Sequence, residues 1–129
     1  MATKRISKIH QKHSEWIKKL NFIRDEIISL FDELDYAKSQ MLSTTESKEF
    51  GAFKALLQGE WQKAENFIGL IRLNENYLAF RAQRGQHIAI DPDPITENIQ
   101  LFFLDFISVK EEIRNYIIEN LRQRKVSAT

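Results

Sequence analysis

The chain has 129 residues, 43% hydrophobic and 29% charged, with four glycines, two prolines and no cysteine. That length fits one domain with enough apolar material for a core, the reverse of a disordered tail. Nineteen Lys and Arg against 18 Asp and Glu give a net charge of +1, which argues against a chain dedicated to nucleic acid; the lack of Cys excludes disulfides, thiolate metal sites and cysteine nucleophiles.

The opening residues, Met1 to Trp16, contain no apolar signal core, and a chain without cysteine suits a reducing cytoplasm. The longest apolar run, Leu101-Phe102-Phe103-Leu104, is far short of the ~20 residues that cross a bilayer. A soluble cytoplasmic protein is therefore expected, with no membrane partner.

The first predicted helix covers about residues 6–40. Ile9, His13, Trp16, Leu20, Ile23, Ile27, Leu30, Leu34, Ala37 and Met41 follow one another at alternating spacings of four and three. This is the seam of a helix packed nearly parallel to its neighbours. Ile17, Ile28 and Phe31 widen it, as contact with two partners requires.

Ser43 and Glu46 are spaced as a capping box, and a helical period then runs from Phe50 to Leu78, predicting a second helix over 46–84. Gly59 and Gly69 weaken it by ~1 kcal/mol each relative to Ala. Glycine at such points also lets two helices approach closely. Gly85 suits a helix C-terminal cap, and Gln86 to Asp93 form the one clear linker.

Asp93 and Pro94 open a third helix over 94–125, with Ile95, Ile99, Phe102, Phe106, Val109, Ile113 and Tyr116 on its seam. Similar lengths and short connections predict an all-α, up-down-up bundle of three long amphipathic helices in a single domain, residues 1–129. A four-helix bundle with the middle helix broken near Gly69 is the alternative.

His13-Ser14-Glu15-Trp16, followed by Leu20, Phe22, Asp25 and Glu26, resembles the opening of a family of short, uncharacterised bacterial helical-bundle proteins. Leu57-Gln58-Gly59-Glu60-Trp61 is loosely similar to an F-Q-N-Q-F-like element of that family's middle helix. The resemblance covers the first two helices. It implies a bundle of long helices and offers no catalytic residue to carry over. Hemerythrin-like bundles are similar in architecture alone: their H-x-x-x-E and H-x-x-x-H ligand pairs do not occur among the three histidines here. No metal and no cofactor are expected.

The residues with chemical potential are few. His13 sits on the apolar seam one turn from His10, and two imidazoles so spaced could begin a metal site. Antiparallel pairing puts His87 several turns away, so His13 reads as a half-buried seam residue hydrogen-bonded across the bundle. With a turn centred near Ser43, residue i of the first helix faces residue 86 − i of the second, which puts Glu26 level with Glu60. Paired carboxylates could bind a cation or act as acid and base. Glu26 shares its stripe with Lys12, Lys19 and Glu33, however, which marks a solvated flank. Asp105 falls on a polar stripe with Asn98, Glu112 and Glu119. Phosphate-binding glycine loops, a Ser-His-Asp signature and metalloprotease motifs are all missing from the sequence, so no catalytic residue is assigned.

The apolar surplus of the third helix is more informative. Phe102 and Phe106 fill the seam, while Leu101, Phe103, Leu104 and Ile107 wrap nearly around the helix, and Ile118 and Leu121 extend the patch. Large residues in excess of a core mark a partner surface. This predicts a non-enzymatic interaction module that forms a homodimer or binds another helical protein. Separately, Lys4, Arg5, Lys8 and Lys12 share one tip of the bundle with Arg81 and Arg84. Such a tip could take a polyanion or nucleic acid. Asp91, Asp93 and Glu97 at the same tip counter that reading.

Overall fold

A computed structural model describes the backbone of residues 2–40, 47–85 and 94–127, and the side chains of 8–40, 48–85 and 95–122. Three helices make up the fold: α1 (Ala2–Ser39), α2 (Ser47–Gln83) and α3 (Pro94–Ser127). At 1.5 Å per residue each is about 50–57 Å long. All three pairs of helices touch, so the chain is an up-down-up three-helix bundle. The expected ranges differ from these by at most four residues, at the start of α1. Ser43, Glu46, His87 and Asp93, and with them the expected capping box, lie outside the described residues.

The core follows the seams. His13, Trp16, Leu20, Ile23, Ile27, Leu30, Leu34 and Ala37 of α1 are buried without interruption. They meet Phe50, Leu57, Ala64, Ile68 and Ile71 of α2 and Ile99, Phe102, Phe103, Phe106, Val109, Ile113 and Ile117 of α3 in one apolar cluster. Aromatic rings tie α2 to α3: Phe50 and Phe53 both contact Tyr116, with centroids 5.4 and 4.7 Å apart, and Phe67 lies 5.5 Å from Phe102.

α2 runs unbroken through Gly59 and Gly69, which rules out the four-helix alternative. A glycine costs the helix ~1 kcal/mol, whereas each buried Leu or Ile on the opposite face supplies about 1.5–3 kcal/mol, so packing decides. Close approach is not the reason for either glycine. Both are exposed, and a Cβ built on either would meet nothing within 4 Å. Gly85 does have a conformational role: its φ of +63° is left-handed, and its N–H donates to the Ala82 carbonyl at 3.2 Å, closing the end of α2. Among the described residues no helix is long and apolar enough to cross a membrane.

Because Gly59 faces open space in ordinary helical conformation, Gly59→Ala should stabilise the bundle by about 1 kcal/mol. Thermal unfolding is expected to show the midpoint rising by about 4 °C.

Candidate functional site

The two flanks of α1 carry different polar contacts, and they decide which charged residues meet. On the α3 side, Lys19 lies over the Phe103 ring at 4.4 Å, Glu26 accepts from Lys110 Nζ at 2.5 Å, and Glu33 faces Arg114 at 3.7 Å. On the α2 side, Arg24 reaches Glu65 at 3.2 Å while stacking over Trp61, and Asp35 pairs with Lys54. Both of these α1–α2 ion pairs lie three residues beyond the expected 86 − i register. Partly exposed pairs of this kind contribute about 0–1 kcal/mol each.

Glu26 and Glu60 are therefore not brought together. Glu26 belongs to the α1–α3 edge. The solvated flank expected for Glu26 is in fact partly covered by Lys110, while Glu60 is only 1% exposed, because α3 covers the side of α2 on which it sits. Its neighbours are Lys63, 3.6 Å from Oε1, and the carboxyl of Asp105; the same Lys63 is 3.7 Å from Asp105. Oε2 is buried with no hydrogen-bond partner among the described residues, a position that disfavours the charged form of the carboxyl. Burial is the main cause that pushes the Glu60 pKa up to about 7; the Asp105 hydrogen bond and charge add to it, and Lys63 opposes it.

At the other polar intrusion, Glu75 bridges two imidazoles. His13 Nδ1 lies 2.7 Å from Oε1 and His10 Nδ1 lies 2.9 Å from Oε2. A carboxylate only accepts, so both rings present Nδ1–H to it. Partial burial works against the Glu75 charge, but the hydrogen bonds from His10 and His13 outweigh it and hold its pKa below the ordinary value. His13 is buried and tilted against Trp16 at 5.7 Å. No group of three His, Asp or Glu among the described residues is arranged to hold a metal ion. Glu75 was not singled out from the sequence, although the register places residue 73 opposite His13 and Glu75 is the nearest acid.

The outer faces carry the apolar surplus. Leu101, Leu104 and Ile107 are exposed on successive turns of α3. Phe103 does not join them: at 7% exposure it is a core residue, because α1 widens the buried face on that side and Lys19 closes over its ring. Ile118 is exposed but stands about 16 Å further along the helix, beyond Glu111 and Asn115. Leu121 is partly buried against the core. A second stripe lies on α2, where Leu70, Leu73, Tyr77 and Phe80 recur at spacings of three, four and three, all exposed.

The expected basic patch is divided among aromatic rings. Lys12 lies over Trp16 at 5.3 Å, Arg81 over Tyr77 at 5.1 Å and Arg84 over Phe80 at 4.2 Å. Lys8 is exposed, and the side chains of Lys4 and Arg5 lie outside the described residues.

Compared with protein-family models, curated proteins and solved structures, the chain matches none.

The raised Glu60 pKa means that the folded chain holds this proton more tightly than the unfolded chain. Its stabilising contribution is complete below pH 4.5 and is lost as pH rises through about 7, at most about 3 kcal/mol in all. The thermal midpoint should fall between pH 4.5 and about 7, and Glu60→Gln should flatten that fall; an unchanged slope would contradict the assignment. Glu75 has the opposite sign. Its contribution is present above the ordinary carboxylate range and is lost as pH falls through its lowered value, so Glu75→Gln should reduce acid sensitivity in the same measurement.

Proposed function

We propose that the chain is a non-enzymatic interaction module of the cytoplasm that associates with itself through the outer face of α3. The observation that carries this reading is the exposure of Leu101, Leu104 and Ile107 on consecutive turns, each more than half exposed. None of the three belongs to the core cluster of the monomer. Burial in an interface returns roughly 25 cal/mol per Å² of apolar surface. The architecture favours this reading over catalysis: straight helices filled with interlocking side chains leave little concave space for a water-excluded reaction.

A two-chain assembly is the smallest that covers the face. Native mass spectrometry or sedimentation over a concentration series from micromolar upward should show a mass that grows with concentration. Leu104→Glu, at an exposed position, should abolish that growth while leaving helix content unchanged. A wild-type chain that stays monomeric throughout overturns the proposal. Phe103→Glu is unsuited to the test, because a charge there enters the core and lowers stability directly.

A further inference from the structure

The outer face of α3 is bracketed by acids. Glu97 and Glu111, both exposed, lie one turn before Leu101 and one turn after Ile107. This matters for what can cover the face. If α3 pairs with the α3 of a second copy in antiparallel fashion about Leu104, Glu97 falls opposite Glu111. In a parallel pairing each Glu faces itself. Either way, like charges meet at both rims of the apolar contact, which is destabilising and tells against that pairing.

The stripe on α2 has the complementary character. Leu70, Leu73, Tyr77 and Phe80 form a seam about 15 Å long, and it ends in Arg81 and Arg84 rather than in acids. The two guanidinium groups already lie over the Tyr77 and Phe80 rings, so the seam is an apolar strip with a cationic end. Its length accommodates the roughly 9 Å from Leu101 to Ile107 with a turn to spare. Its spacing of three and four matches that of an α3 face reading Glu97, Leu101, Leu104 and Ser108. An antiparallel approach brings Glu97 to Arg84, and a parallel one brings Glu111 there. Both faces also lie in the half of the bundle that holds the end of α2 and the start of α3.

We infer that the α3 face of one copy docks on the Leu70–Phe80 stripe of α2 in a second copy. The contact is between two different surfaces of the same chain. This rests on the self-association reading above and adds the identity of the receiving surface. Tyr, Phe and Arg on that surface are the residue types that commonly anchor interfaces, with the Leu and Ile side chains of α3 entering between them.

Complementation of two crippled variants tests the pairing. Leu104→Glu disables the α3 face and Leu73→Glu disables the α2 stripe, both at exposed positions. Circular dichroism checks that each keeps its helices. Arg84→Glu is a second, milder α2 variant that leaves the apolar strip in place. Native mass spectrometry of each Leu variant alone should show monomer, with affinity lowered by about a hundredfold or more. Arg84→Glu should weaken association by about tenfold at low salt. Mixing the two Leu variants, one isotopically labelled, should restore a one-to-one complex, since one intact α3 face and one intact α2 stripe remain. If Leu73→Glu and Arg84→Glu associate like wild type, α3 pairs with something other than α2 and the inference is overturned while self-association through α3 stands. If both Leu variants are monomeric and their mixture also stays monomeric, the inference is overturned as well. If Leu104→Glu associates like wild type, α2 stripes pair with each other and both readings fall, as they do for a monomeric wild type.

Discussion

Because eight side chains from His13 to Ala37 occupy one edge of α1 at alternating spacings of three and four, α1 keeps an unbroken buried edge over nearly its whole described length. Each flank of that edge then meets a different helix. The α2 flank is finished by Arg24, Asp35 and the two histidines, and the α3 flank by Lys19, Glu26 and Glu33. None of these polar contacts contributes much energy by itself. Their value is geometric, since each has its counterpart on one helix only and so fixes which helix lies on which side.

Among the described residues, the two buried polar side chains have opposite relations to their surroundings. His13 is given an anionic acceptor at the edge of the bundle, where Glu75 keeps partial contact with water. Glu60 is given another acid, and Lys63 stands too far off to form a short hydrogen bond with it. The first arrangement accommodates an imidazole at low cost. The second retains a carboxyl group that is comfortable only while protonated. An apolar residue at 60 would fill the space between α2 and α3 without that condition.

Most of the fold could be read from the sequence because the seams and breakpoints are local properties. Pro94 does begin α3, Gly85 does cap α2, and the α1 seam is buried as its spacing requires. The positions that escaped are those whose burial depends on the third helix. A seam drawn for two partners leaves its flanks open, and periodicity does not say on which side the other helix lies. Glu60 and Phe103 are both flank positions of this kind: α3 covers the first and α1 the second. Glu75 is different. Its partnership with His10 and His13 follows from the turn position and needed only a register two residues longer. The exposed stripe of α2 is a local property too, since Leu70, Leu73, Tyr77 and Phe80 lie away from the seam, although apolar residues are denser in α3.

The connectivity also distributes chain entropy unevenly along the rod. Near the α1–α2 turn, Asp35 and Lys54 are 19 positions apart in the sequence; at the far end, His13 and Glu75 are 62 apart. Closing the longer loop costs more, though only slowly more with length. The α1–α2 hairpin therefore zips from the turn outward and unzips from its His13 end. For α2 and α3 the order is reversed, because their turn lies at that same His13 end. Each end of the bundle is thus closed by one connection and left free by the other. Amide exchange should then find its slowest sites near the middle of the rod, with α1 loosening at one end and α3 at the other.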